Sequence, residues 1–130
     1  MDAGAPGAYG SVRDTLVHLC AAEERYVAAL TGRAPEYPLR EADAFPGFDT
    51  LRERAQASGT ALIAIAEDVR DGQPVRGTYR GEPFEMSAAV FLLQAVNHAT
   101  EHRTNVTTIL AAGRTEPPVL DGWAFAERED

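Results

Sequence analysis

The chain has 130 residues, 45% of them hydrophobic and 25% charged, with 20 acidic against 12 basic side chains and a formal net charge of −8. The length suits one domain that can bury a core without staples, and the composition is that of an ordinary globular protein. Every basic residue is Arg and the balance is acidic, so the clustered positive footprint of a nucleic-acid binder is missing and no nucleic-acid partner is expected.

Residues 1–10 are rich in Gly and Ala, include Pro6, and read as a flexible lead-in. Met1–Ala8 has neither the basic flank nor the apolar core of a signal peptide. No uninterrupted apolar run is long enough to span a bilayer, so no membrane partner is expected. Ser11 followed by Asp14 has the spacing of a capping box. Val12, Leu16, Leu19, Tyr26, Val27 and Leu30 then recur at helical spacing, which predicts a helix over 12–31 stopped by Gly32. Cys20, the single cysteine, rules out an intramolecular disulfide and fits a reducing, cytoplasmic compartment. It reads as a small apolar core residue.

Residues 33–48, with Pro35, Pro38 and Pro46, have no period and read as a long connection across the molecule. Thr50 and Glu53 have the spacing of a second capping box. Leu51, Ala55, Leu62, Ile65, Ala66 and Val69 form one stripe, which predicts a helix running to Asp71 before Gly72. Val75–Tyr79 and Pro83–Met86 flank Arg80-Gly81 and read as a small hairpin. Ser87 is placed to cap a long third helix over 88–112, ended by Gly113. The tail, 114–130, carries Pro117-Pro118, Asp121-Gly122, Trp123 and Phe125, and its two aromatics predict that it docks back onto the body. The expected fold class is all-α, in one domain spanning 1–130.

The three histidines carry the chemistry. His98 and His102 lie four apart, so on a helix they point to nearly the same side. A helical wheel sets both beside Phe91 and Ile109, while Gln94, Asn97, Glu101 and Thr108 lie mostly elsewhere. An inward imidazole needs a partner, and a divalent metal is one. Imidazole suits Zn, Ni, Fe or Cu. His18, the remaining histidine, lies on the side of the first helix that carries Thr15, Ala22 and Ala29, small residues that let a second helix approach. Three protein ligands leave coordination positions open, which is the catalytic pattern rather than the structural one. The competing reading is two flank histidines and an unrelated third, because His-x-x-x-His is weak by itself. The order His98-Ala-Thr-Glu101-His102 is not that of the zinc proteases, and Glu101 reads as a solvated charge.

Glu23 falls near the centre of the first helix's apolar stripe, and Arg103 on the inward half of the third helix. They are placed to pair with each other; alternatively Glu23 orients a ligand histidine, or reaches solvent at a gap in the bundle. Tyr26, Tyr79, Trp123 and Phe125 are pocket candidates that are more often plain core. No Gly-rich phosphate loop, Cys-x-x-Cys or serine triad is present.

Asp14-Thr-Leu-Val-His18-Leu-Cys-Ala-Ala-Glu23-Glu-Arg-Tyr26 resembles the second helix of the DinB-like family of metal-dependent proteins. Asn97-His98-Ala-Thr-Glu101-His102-Arg103 resembles that family's metal-binding helix. The tail around Pro117-Pro118 and Asp121-Gly-Trp123 is similar to its C-terminus, so the resemblance covers roughly residues 8–125. It implies an up-down four-helix bundle, here without the family's first helix. It also implies one divalent ion held by His18, His98 and His102, with Zn or Ni expected and Fe or Mn as alternatives. Some relatives are transferases or isomerases that use a low-molecular-weight thiol. The resemblance therefore implies a metal-dependent S-transferase, or a related hydrolase or isomerase, acting on a small-molecule substrate. The alternative is a non-catalytic metal-binding or interaction domain. A chain without the fourth long helix exposes an apolar face, so a homodimer or higher oligomer is expected.

Overall fold

The computed structural model describes residue 4 and residues 6–127. In chain order the elements are α1 (Val12–Thr31), α2 (Phe48–Asp68), β1 (Pro74–Tyr79), β2 (Glu82–Ser87), α3 (Ala88–Ala112) and α4 (Gly122–Ala126). The fold is mostly helical, with one two-stranded antiparallel hairpin. No helix among the described residues is long and apolar enough to cross a membrane.

α1 begins where the sequence says it should. The Ser11 side chain accepts from the Asp14 N–H while Asp14 reaches back to the Ser11 N–H, completing the capping box. The helix ends in a left-handed Gly32, whose N–H bonds the Ala28 carbonyl. α3 also matches expectation, with Ser87 accepting from Val90 and Gly113 at its end.

α2 differs at both ends. Thr50 and Glu53 do not cap it: the helix starts at Phe48 behind Gly47, whose φ of 98° turns the chain without any side-chain cap. It stops at Asp68 rather than Asp71, because Val69 is already extended. Gly72 serves instead as a turn residue (φ 69°) leading into the hairpin.

The connection over residues 32–47 sets the topology. The Cys20 thiol lies 3.8 Å from the Leu51 carbonyl oxygen, and Glu24 pairs with Arg54. Rising numbers in α1 thus meet rising numbers in α2, and the two helices are parallel. On the other side Tyr26 meets Phe91, while His18 meets His98 and His102, so α1 and α3 are antiparallel. The order is up, up, down, rather than the strict alternation of an up-down bundle, because the connection returns along the length of α1.

α1 packs against both α2 and α3, which hardly touch one another. It is therefore buried on two opposite sides: Val17, Cys20 and Ala21 on one, Thr15 and Ala22 on another. Val17, Cys20, Ala21, Leu39 and Leu51 form one core cluster between α1, the connection and α2. Val75, Ala88 and Phe91 form a second, roofed by Tyr26, Leu30, Val69 and Phe84.

The hairpin pairs Pro74 with Ser87 through to Tyr79 with Glu82. Its two turn residues both have positive φ, 49° at Arg80 and 84° at Gly81, the twist that suits a two-residue hairpin loop.

The fourth helix is five residues long, so the described residues form three long helices and a short one. Among the described residues the tail does not bury its aromatics: Trp123 is 82% exposed and Phe125 63%. Pro117, Pro118, Leu120 and Asp121 instead border the Thr100–Thr107 stretch of α3. The lead-in expected over 1–10 falls partly outside the described residues. Its described end is not idle, since the Tyr9 N–H donates to Asn105 Oδ1 at 3.1 Å.

Burial pushes the Cys20 thiol up to about 11, with the negative charges of Glu23 and Glu24 adding to the shift and Arg54 partly offsetting it. The thiolate is the nucleophile, so Cys20 should resist iodoacetamide at pH 8 in the native protein and react promptly once denatured. A thiol held protonated by the fold stabilises below the ordinary thiol range. That contribution is lost as pH rises toward about 11. Mass-spectrometric labelling with and without urea checks the first expectation; equal rates in both would contradict it.

Candidate metal centre

The site forms where α1 and α3 approach through small side chains. Thr15 and Ala22 on α1 and Ala95 and Ala99 on α3 are all buried. With no bulk between the helices, His18 reaches across to the pair one turn apart on α3. His18 Nε2 lies 3.0 Å from His98 Nε2. The ring centroids of His18 and His102 are 4.6 Å apart, and those of His98 and His102 4.4 Å. One nitrogen from each of the three rings falls within 4.8 Å of the others.

The donor set fits a divalent ion. Zinc–imidazole bonds of about 2.0–2.1 Å in a tetrahedral site put ligand nitrogens about 3.3 Å apart. The His18–His98 spacing is already close to that. The Nδ1 atoms of all three histidines are buried without hydrogen-bond partners, so the cluster is poorly satisfied by protein alone. Burial, foremost, holds His98 below the ordinary imidazole range, followed by the charges of His102 and His18. His102 is lowered by burial and then by His18, against a small opposing effect of Glu101. Both therefore favour the neutral form that can ligate. Glu101 is exposed, as its wheel position implied.

Three further side chains frame the cluster. Tyr9 stacks on His18 at a centroid distance of 4.1 Å and meets His102 edge-on. Tyr26 packs edge-on against His98. Glu41, from the connection, brings Oε1 to 3.4 Å from His18 Nδ1, within ion-pair range although the geometry is not that of a hydrogen bond. Arg25 holds Glu41 at 2.6 Å. Burial is the largest single influence on Glu41 and raises its carboxyl, but the hydrogen bond and charge of Arg25 together with His18 outweigh it, so the carboxyl lies below its usual range. The resulting Arg25–Glu41–His18 chain places a carboxylate on the Nδ1 side of the ring, the side away from the Nε2 that approaches His98.

His18 and His98 also line a cavity of about 720 Å³ between α1, α3 and the hairpin. An ion at the cluster thus faces a chamber large enough for a small molecule.

Glu23 and Arg103 form no ion pair or hydrogen bond among the described residues, although the Arg103 charge acts on the Glu23 carboxyl from a distance and partly offsets the effect of burial. Arg103 is exposed and donates to Thr100 Oγ1 at 3.3 Å, while Glu23 is half-buried, and burial raises its carboxyl above the usual range. Of the alternatives open to Glu23, reaching solvent at a gap is the one the geometry matches. The buried carboxylate is its neighbour Glu24, bonded to Arg54 at 2.6 Å and to the Leu39 N–H at 2.8 Å. Tyr26 lines the cavity, as does Tyr79; Trp123 and Phe125 do not. Sequence reasoning missed Tyr9, Glu41 and Glu24. The only signal for Glu41 was an acidic residue within a Pro-rich connection.

Glu41→Gln should weaken metal affinity about 10–100-fold, the usual effect of losing a carboxylate behind a ligand histidine. The fold should survive, because Glu41 is partly exposed. A chelator-competition titration reads the change, and unaltered affinity would remove Glu41 from the centre.

Neither the curated proteins nor the solved structures yielded a match to this chain. A family model described as DinB family matches residues 5–129, nearly the whole length, and the chain belongs to that family.

Proposed function

We propose that this chain is a metal-dependent enzyme of small molecules, binding one divalent ion, Zn or Ni, through His18, His98 and His102. Fe and Mn are the alternative ions. The reaction class it best suits is transfer to a low-molecular-weight thiol, with hydrolase or isomerase chemistry as close variants. The observation that carries this reading is the cavity: two of the three converging imidazoles form part of its wall. A purely structural ion is normally sealed by four protein ligands.

A bound ion supplies Lewis acidity and favours the thiolate over the thiol at neutral pH. The chain's residues do the rest. Arg25 and Glu41 keep His18 oriented, and Tyr9 shields the outer face of its ring. Tyr26 and Phe91 give the electrophile an apolar wall. As the new carbon–sulfur bond forms, the bond to the leaving group breaks and its electron pair departs with that group; the thiol proton passes to solvent through the open mouth. Buried, protonated Cys20 takes no part, and its reduced state suits a cytoplasmic setting.

Elemental analysis should find about one ion per chain, lost in His98→Ala and in His102→Ala, since two ligands on one helical turn cannot replace each other. The metal-loaded protein should consume thiol with an activated aryl halide, and the chelated protein should not. Full metal content in both variants would sink the reading. A second reading, in which the ion merely pins α1 to α3, is favoured by one fact: all three ligands come from two helices that already pack. It is the reading that stands if metal raises the melting temperature yet no thiol is consumed.

A homodimer is also proposed. Val90, Leu93 and Val96 are exposed on the face of α3 turned away from α1. Neither the described lead-in nor the tail covers them. An apolar stripe along one helix is self-complementary about a two-fold axis, so a second copy is the fitting occupant. Light scattering over a dilution series should give a dimer for the wild type and a folded monomer for Leu93→Glu; a wild-type monomer at micromolar concentration would exclude it.

A further inference from the structure

Arg80 is an unusual residue for its position. It is the first of the two hairpin turn residues, with φ 49°. Such a turn favours Asn, Asp or Gly there, because a β-carbon crowds the left-handed backbone. An arginine in this place opposes the local preference, and local strain of this kind collects at binding sites.

Its surroundings say what it is for. Arg25, Arg76 and Arg80 all line the cavity beside the histidines, and Glu41 is the one carboxylate among the described lining residues. In a chain of net charge −8 this is a local reversal of sign. Two of the three cations are already matched: Arg25 by Glu41 and Arg76 by Glu85. Arg80 lies over the Tyr79 ring, 5.2 Å from its centroid, and has no carboxylate partner among the described residues. Deeper in the same cavity the rings of Phe84 and Phe91 sit 5.8 Å apart, with Tyr26 edge-on to Phe91.

We propose that the hairpin is a substrate-recognition element: Arg80 anchors the carboxylate of a small organic acid whose apolar body lies against Phe84, Phe91 and Tyr26. One free guanidinium suits a monoanion and presents two parallel donors to a carboxylate. A phosphate dianion calls for more donors than this rim has left unpaired. The inference deepens the metal-dependent reading, since it names the substrate class for the chamber that the histidines face.

The test uses 4-phenylbutyrate and its neutral isostere 4-phenylbutyramide, titrated calorimetrically into metal-free protein, where the ion cannot capture the anion. The wild type should prefer the acid by about tenfold, as a charge-assisted bidentate contact implies. Arg80→Asn should abolish that preference while raising the melting temperature, because Asn suits the turn. Arg80→Lys should restore part of the preference, and Arg52→Gln, far out on α2, should change nothing. A residue present for structure alone would show no such opposition between stability and binding. Equal affinity for acid and amide in the wild type, or a preference that survives Arg80→Asn, overturns the inference. So does a preference seen only with metal present, which leaves the metal centre standing. An intact preference in a protein that takes up no ion upholds the anion site and removes the metal-dependent reading instead.

Discussion

Everything in this fold depends on α1 having two neighbours that barely meet. α2 lies parallel to it on one side and α3 antiparallel on the other. A helix so placed must supply two packing surfaces from 20 residues, and α1 does so with different chemistry on each. Toward α2 it presents Val17, Cys20 and Ala21; toward α3 it presents residues small enough for close approach, with one histidine among them. The cluster of three histidines is a product of that second surface. Bulk at Thr15 or Ala22 would push α3 away and separate His18 from His98.

The parallel pairing of α1 and α2 requires a long return, and the return is what equips the site. Its path is fixed at Glu24, which is 6% exposed and satisfied by Arg54 and by the Leu39 N–H. Removing one partner of such a buried pair leaves an uncompensated charge, at a cost of about 3–5 kcal/mol. The exposed Arg52–Asp49 pair on α2 contributes under about 1 kcal/mol. The anchored connection then delivers Glu41 to His18 two residues later. A structural ion pair and a site residue thus share one short segment.

The sequence made the local features plain and hid the ones that depend on chain path. Ser11 with Asp14, Ser87, Gly32 and Gly113 mark helix ends because capping is settled within a few residues. His98 and His102 were legible from their spacing, and the reach of His18 to them from the family resemblance. Thr50 and Glu53 carried a genuine capping pattern, but Gly47 let the chain turn into the helix before it. The wheel left the role of Glu23 open and passed over Glu24 for a geometric reason. A single-stripe wheel averages two buried surfaces, and on α1 that average points at Glu23, between surfaces, instead of at Glu24. Tyr9 and Glu41 lie in segments without period, so nothing in their neighbourhoods announced where the folded chain would carry them.

The separation between His18 and His98 along the chain has a consequence for folding. The two nitrogens that come within 3.0 Å belong to residues 80 apart. An ion shared between them would act as a reversible crosslink closing most of the polypeptide into one loop. A permanent link of that span removes roughly 4 kcal/mol of loop entropy from the unfolded chain. The unfolded ensemble, whose histidines are rarely close together, gains little from the same ion. An ion held there would favour the folded chain over the unfolded one, adding to what the two apolar clusters beside α1 already supply.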